Sequence, residues 1–102
     1  MNFRVQVTGE ARRQLLEIDE WWTTNRPEAQ DLVLREFSRA VALLAMTPTA
    51  GKVYAAQTSA RFRRVLLRRS GFHVYYLVVD AARVVVIAAI WNGARGHGPP
   101  LR

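Results

Sequence analysis

The sequence predicts an α+β domain of order β-α-α-β-β-β, in which a helical hairpin packs on a twisted, mainly antiparallel sheet. Two segments of the N-terminal half carry apolar residues at helical spacing. The C-terminal half instead contains three short apolar runs rich in β-branched and aromatic residues. The breaks between these runs, residues 68–71 and 80–83, are so short that they allow only antiparallel hairpins. A chain of 102 residues suits one compact domain, predicted to span residues 1–102.

The first strand and helix follow from the opening residues. Residues 2–7 alternate between apolar and polar side chains, which predicts a short strand. Thr8 then has the character of an N-cap, and Glu10 lies where a negative charge favours a helix N-terminus. One apolar face follows at helical spacing, formed by Ala11, Leu15, Ile18 and Trp22. We expect this helix to end near residues 23–26.

The second helix is predicted to begin at Pro27, because proline at the first helical position lacks only an N–H that would be unsatisfied there. Its apolar face is formed by Ala29, Val33, Phe37, Ala40 and Leu44. Thr47 and Pro48 end it. The short link between the helices predicts an antiparallel hairpin. Residues 47–60 form a loop, to which Val53 and Tyr54 add a short extended piece.

The three predicted strands of the C-terminal half are residues 62–67, 72–79 and 84–91. They form a meander that is the only available partner for the apolar face of the helical hairpin. The residues after Trp91 are rich in glycine and proline, which predicts no regular element there.

Composition excludes several classes of protein. The chain has no cysteine, so it forms neither a disulfide framework nor a thiol nucleophile. No segment approaches the roughly 18 apolar residues of a membrane span, and the first residues lack the apolar core of a secretory signal. These features predict a soluble cytoplasmic protein with no membrane partner.

Charge is divided unequally between the two halves. Residues 1–50 carry seven acids and six arginines, whereas residues 51–102 carry Lys52 and eight arginines against Asp80 alone. The basic charge therefore belongs to the predicted sheet, where it would attract phosphate backbones or an acidic protein. Nearly all of it is arginine, which favours bidentate contacts with phosphate or carboxylate.

The sequence contains no recognisable cofactor or metal chemistry. The two histidines have no cysteine or nearby carboxylate at the spacing of metal ligands, and no phosphate-binding glycine loop is present, so we predict no metal and no cofactor. The predicted partner- or nucleic-acid-binding residues are instead arginines around the sheet and one tryptophan: Arg61, Arg63, Arg64, Arg68, Arg69, Arg83, Trp91 and Arg95.

Several segments, in order and at characteristic spacing, give the chain a resemblance to the RelE/ParE superfamily of bacterial type II toxins. They cover nearly the whole chain: residues 8–11 after the first strand, 18–22 with their paired tryptophans, Pro27, the exit from Leu44 through Pro48 to Gly51, residues 62–65, residues 70–76, Asp80, and the last strand with Trp91, Arg95 and Gly96. The resemblance implies a small toxin held inactive by a cognate acidic antitoxin that wraps over the hairpin and the sheet.

The superfamily contains two mechanisms, and both remain open from the sequence. RelE-like members cut mRNA on the ribosome, and Arg68, Arg95 and His97 would be the catalytic residues if this chain is a metal-independent endoribonuclease. The chain lacks their lysine pair and their C-terminal tyrosine, however. ParE-like members block DNA gyrase without chemistry of their own. We therefore favour a ParE-like gyrase inhibitor, with the ribonuclease second and a non-toxic basic nucleic-acid-binding module third.

Overall fold

The computed structural model describes residues 2–54, 60–92 and 97–101. It contains five strands, two α-helices and two short 3-10 helices: β1 (Arg4–Val7), α1 (Gly9–Asn25), a 3-10 turn (Pro27–Ala29), α2 (Leu32–Met46), β2 (Lys52–Tyr54), β3 (Phe62–Leu66), β4 (Phe72–Val79), a second 3-10 turn (Asp80–Ala82) and β5 (Val84–Asn92). The predicted α+β class is confirmed, with both helices packed against one sheet.

All five strands belong to one sheet with the spatial order β1-β5-β4-β3-β2. The pairs β2–β3, β3–β4 and β4–β5 are antiparallel, as predicted for the meander. β1 lies parallel to β5, because the helical hairpin carries the chain across before the meander begins. The short extended piece predicted at Val53 and Tyr54 is the edge strand β2, which makes the sheet one strand wider than the predicted order.

The helices begin and end close to the predicted residues, with one correction. The Thr8 hydroxyl caps α1 by accepting the backbone N–H of Ala11 at 3.1 Å. Pro27 does not begin the second helix, as predicted, but the 3-10 turn of residues 27–29. Proline suits the first position of any helical turn, and here that turn closes at once through the Ala29 N–H and the Arg26 carbonyl. α2 itself begins at Leu32.

The main core lies between the hairpin and one face of the sheet. Its buried side chains are Ala11, Ala40, Leu44, Leu67, Val74, Tyr76, Val85, Ile87 and Ile90. The predicted apolar faces of both helices supply Ala11, Ala40 and Leu44, and the valine-rich strands supply most of the rest. None of the described helices is long and apolar enough to cross a membrane.

One buried polar side chain, Gln14, completes the edge of the sheet. β1 pairs with β5 only as far as Ile87, so beyond that point the backbone of β5 has β4 on one side and no strand on the other. The side-chain oxygen of Gln14 accepts the Ile90 N–H at 2.8 Å, and the Thr8 hydroxyl donates to the Ala88 carbonyl at 3.4 Å. Helix α1 therefore takes the place of the missing strand.

Candidate functional site

The structure separates the predicted arginines into three groups. Arg68 and Arg69 lie in the turn between β3 and β4, whereas Arg61 and Arg83 lie at the opposite end of these antiparallel strands. Neighbouring residues of β3, Arg63 and Arg64, point to opposite faces of the sheet. Arg95 lies outside the described residues. Three ion pairs of the helices are internal to them: Glu10 and Glu17 pair with Arg13, and Asp31 pairs with Arg35. These three acids therefore do not link the separate groups of arginines.

The turn between β3 and β4, residues 67–72, is held against α2 by a single carboxylate. The two oxygens of Glu36 accept the backbone N–H groups of Arg69 at 2.9 Å and Ser70 at 3.0 Å. Gly71 supplies the positive φ of 84° that brings the chain back into β4. This arrangement leaves the side chains of Arg68 and Arg69 exposed, next to each other, at one end of the sheet.

A groove of about 350 Å³ runs between α2 and β3 beside this turn. Its apolar part includes Leu43 and Leu66, which are 46% and 50% exposed. Arg39, Arg68 and Arg69 form its basic rim. The groove therefore combines apolar surface with positive charge, which suits an acidic segment that also carries apolar side chains.

Arg63 and Tyr76 have a structural role on the helix-facing side. The Arg63 guanidinium donates to the Gly51 carbonyl at 2.8 Å and to the Thr49 carbonyl at 3.3 Å. The Tyr76 hydroxyl accepts the Gly51 N–H at 2.8 Å, and burial raises the pKa of Tyr76. Both side chains therefore fix the entry to β2.

The other face of the sheet carries Arg64 among aromatic rings. Its guanidinium donates to the Tyr75 hydroxyl at 3.2 Å and lies 5.1 Å from the centre of the Tyr54 ring. The Tyr54 and Tyr75 rings meet edge to face with their centres 4.9 Å apart. Lys52 is the cross-strand neighbour of Arg64 on this face. We call Lys52, Tyr54, Arg64 and Tyr75 the cationic–aromatic cluster.

His73 lies on the same face, next to this cluster. It pairs across the strands with Leu66 and Trp91, and its ring centre is 6.1 Å from that of Tyr75. The buried Nδ1 atom has no hydrogen-bond partner. Burial, and then the positive charge of Arg64, lowers the pKa of His73 below its ordinary 6.5, so that the imidazole is neutral at pH 7.

The segment His97–Leu101 folds back over this face. The indole Nε1 of Trp91 donates to the His97 carbonyl at 2.9 Å, and the two rings lie 5.8 Å apart. Gly98 packs on the Tyr54 hydroxyl so closely that an added Cβ would lie 1.9 Å from the hydroxyl oxygen. Pro99 is buried. The segment has no regular structure, as predicted, but it covers part of the sheet, which the sequence did not indicate.

The described residues provide cationic surfaces, but they do not assemble a pair of proton-transfer groups beside an exposed arginine. Tyr75 and Tyr76 are buried, with both hydroxyls already hydrogen-bonded. Arg68 lies in the basic turn, whereas His97 packs on Trp91. Within residues 2–54, 60–92 and 97–101, no group of three histidine or acidic side chains converges to hold a metal ion.

Several residues of these sites were missed in the sequence, among them Glu36, Tyr54, His73 and Gly98. The only local signals were the extended character of residues 53–54 and the glycine and proline at 98–99. No local pattern indicated the role of Glu36, because its two hydrogen-bond partners lie 33 and 34 residues further along the chain.

A helical hairpin on a five-stranded sheet, with β1 parallel to β5, is a fold found in several solved toxins. The chain is similar to a chromosomal ParDE toxin–antitoxin system from P. aeruginosa, with a TM-score of 0.71 and 18% identity over 88% of this chain and 95% of that one. It is also similar to the archaeal RelE–RelB complex from Pyrococcus horikoshii OT3, with a TM-score of 0.65 and 20% identity over 94% of this chain and 100% of that one.

A third similar structure is a variant of E. coli toxin RelE in the free state, with a TM-score of 0.58 and 16% identity over 92% of this chain and 86% of that one. At these identities the likeness concerns the fold. A comparison with curated proteins gives no match.

The fold is therefore the RelE/ParE fold, as the resemblance in the sequence implied. A sequence model of one family, the ParE toxin of type II toxin–antitoxin systems (parDE), matches residues 5–96. The chain belongs to the ParE toxin family.

Proposed function

We propose that this protein inhibits growth by blocking DNA gyrase and that a cognate acidic antitoxin neutralises it. The observation that carries the proposal is the match to the ParE toxin family over residues 5–96. Gyrase acts in the cytoplasm, so the proposal also implies a cytoplasmic protein. The toxin would act by binding, with no cofactor and no reaction of its own.

The geometry supports a binding mechanism over a catalytic one. A metal-independent ribonuclease needs groups that move protons next to a cation that stabilises the phosphate. The hydroxyls of Tyr75 and Tyr76 are buried and engaged in internal hydrogen bonds, so neither is available to an incoming strand. The exposed cations Arg68 and Arg69 lie instead in a rigidly held turn, which suits contact with a protein surface.

The groove between α2 and β3 is our candidate for antitoxin binding. Exposed Leu43 and Leu66 would accept apolar side chains, and the rim of Arg39, Arg68 and Arg69 would attract acidic ones. Glu36 also lines this groove, but its carboxylate is engaged by the N–H groups of Arg69 and Ser70. Glu10 and Glu17 pair with Arg13, and Asp31 pairs with Arg35.

The proposed target is tested with purified toxin and gyrase. We expect the toxin to inhibit supercoiling of relaxed plasmid, and expression without antitoxin to induce the DNA-damage response while bulk mRNA stays intact. Addition of the antitoxin should restore supercoiling. Normal supercoiling at a large excess of folded toxin would refute the gyrase target.

The second candidate function is ribosome-dependent mRNA cleavage, and His73 is the observation that favours it. A neutral imidazole close to Arg64 is a combination that could accept a proton beside a bound phosphate. Together with the predicted residues Arg68, Arg95 and His97, it would form a cationic active site. We would then expect cleavage of mRNA on translating ribosomes, abolished by Arg95→Ala or His73→Gln, and intact transcripts would exclude it.

The third candidate, a non-toxic nucleic-acid-binding module, is distinguished by the same experiments. It requires micromolar, salt-dependent affinity for nucleic acid without growth arrest. Growth arrest on expression without antitoxin would exclude it.

A further inference from the structure

Residues His97–Leu101 pack on the cationic–aromatic cluster, and the proposed inhibition of gyrase does not require this packing. Three contacts hold the segment on the sheet: the hydrogen bond from the Trp91 indole to the His97 carbonyl, the packing of Gly98 on Tyr54, and the burial of Pro99. None of these contacts is an ion pair. The segment is therefore attached by local contacts and not by the ladder of a sixth strand.

The surface beneath the segment is suited to phosphate and to flat rings. Arg64 has no acidic partner among the described residues and is instead held by the Tyr75 hydroxyl and by the faces of two rings. Lys52 adds a second cation beside it. Asp80, the only acid of residues 51–102, lies beyond the end of β4. Cations interleaved with stacking aromatic rings are typical of surfaces that bind single-stranded nucleic acid.

The segment covers part of Tyr54, the ring of the cluster that is best placed to stack on a base. Tyr54 is the ring of the cluster that lies at the edge of the sheet, where an incoming base would stack, and its hydroxyl is covered by Gly98. Tyr75 is only 2% exposed. With the segment in place, Arg64 and Tyr54 are therefore poorly presented to a strand.

We infer that residues 97–101 are an autoinhibitory strap, which covers a site for single-stranded nucleic acid formed by Lys52, Tyr54 and Arg64, with the buried Tyr75 hydroxyl holding Arg64 in place. When the strap is released, Arg64 and Lys52 bind the phosphates and the Tyr54 ring stacks on a base. The inference does not depend on gyrase or on an antitoxin, because none of the residues of this site lines the groove between α2 and β3.

Release of the strap can be produced by a single methyl group. In Gly98→Ala the new Cβ would overlap the Tyr54 hydroxyl, so either the strap or the Tyr54 side chain must move. Gly9→Ala is the matched control, because an added Cβ there meets no atom within 4 Å. The position of the strap is read from the indole N–H resonance of Trp91, which loses its hydrogen bond to His97 when the strap leaves.

The measurement is the anisotropy of fluorescein-labelled oligothymidine and oligouridine, with the full-length protein at several salt concentrations. We expect Gly98→Ala to bind these oligonucleotides at least about tenfold more tightly than the unmodified protein or Gly9→Ala. This is the gain in affinity expected from one stacked base and one cation in contact with a phosphate. The gain should be lost in the double variant Gly98→Ala/Arg64→Gln. Inorganic phosphate as competitor distinguishes a site for the free anion from a site for the strand, and preference between the two oligonucleotides distinguishes DNA from RNA.

Two results would overturn the inference. One is a displaced Trp91 resonance with unchanged oligonucleotide affinity, which would make the segment a structural cover only. The other is a gain in affinity that survives Arg64→Gln, which would locate binding elsewhere. If Gly98→Ala fails to fold or leaves the strap in place, Trp91→Phe removes the hydrogen bond to His97 and keeps a ring at this position. The strap is then followed by the backbone amide resonance of Gly98, and the same two outcomes would overturn the inference. Failure of this inference leaves gyrase inhibition untouched, because that assay does not use the strap.

Discussion

Glu36 shows how much a single side chain contributes to the basic turn. Its carboxylate is the partner of two successive backbone N–H groups, those of Arg69 and Ser70, and it joins α2 to the far end of the meander. A carboxylate that accepts backbone N–H groups makes charge-assisted hydrogen bonds, which are stronger than neutral ones. Glu36 therefore determines where Arg68 and Arg69 project from the turn.

We predict that Glu36→Ala lowers the free energy of unfolding by about 1–3 kcal/mol, because two backbone donors lose their acceptor. Glu36→Gln keeps one acceptor oxygen and should have an intermediate effect. Urea unfolding measures both, with Glu20→Ala, an exposed acid of α1, as the control. An effect of Glu36→Ala no larger than that of Glu20→Ala would contradict the role assigned to this carboxylate.

His73 makes stability depend on pH. Its pKa in the folded protein lies below the ordinary 6.5, so the unfolded chain binds a proton at this position more readily than the folded one. The contribution of the neutral imidazole is therefore fully present above pH 6.5 and is lost as the pH falls below it.

We predict a fall in Tm as the pH is lowered from about 7.5 to about 5.5, a range in which histidine is the main titrating side chain. His73→Gln, which carries no titrating group, should flatten this dependence. Thermal unfolding followed by circular dichroism measures it, with His97→Gln as the control for the exposed histidine. Equal slopes in the protein and in His73→Gln would mean that His73 is not the group responsible.

At the scale of elements, the two helices and the meander were predictable and the strand β1 was only partly so. The period of the apolar residues gives each element its type, and Val33, Ala40 and Leu44 are buried as their spacing predicted. The neighbour of β1 could not be predicted, because the choice between a central and an edge pairing depends on residues far apart in the chain. β2 is three residues long, too short for alternation to indicate a strand.

The edge of β5 leads to a prediction at this scale. Gln14 satisfies the Ile90 N–H in a buried setting, where an unpaired donor is costly. We expect Gln14→Leu to destabilise the protein by about 1–3 kcal/mol in spite of its greater hydrophobicity. Chemical denaturation measures the loss, and the Ile90 amide should also exchange faster with solvent than in the control Gln30→Ala. Unchanged protection of that amide would show that α1 does not substitute for a strand.

At the scale of the whole molecule, the sequence predicted the segregation of charge but not its distribution in space. The topology explains why. Successive turns of an antiparallel meander lie at opposite ends of the sheet, so Arg68 and Arg83 must be separated by the length of β4, whose eight residues span about 26 Å. Neighbours along a strand alternate between faces, which separates Arg63 from Arg64. One arginine-rich half therefore becomes several distinct surfaces, and the partner contacts of these arginines stay a prediction.

The basic turn should determine how fast an acidic partner associates. We predict that the double variant Arg68→Ala/Arg69→Ala slows association with the cognate antitoxin by about tenfold at low salt, and that the difference disappears at high salt. Stopped-flow fluorescence gives the rates. Arg12→Ala/Arg26→Ala removes the same charge from exposed positions on and beside α1 and should have a smaller effect. Equal slowing by both pairs would mean that net charge, and not the groove, guides the encounter.

The parallel pairing of β1 with β5 has a consequence for the timing of synthesis. Arg4–Val7 is synthesised long before its neighbour in the sheet, Val84–Ile87. Contacts between such distant segments form late and slow the folding of a domain. A nascent chain therefore cannot complete its sheet until β5 has left the ribosome, and we expect any activity that needs the folded domain to begin only then.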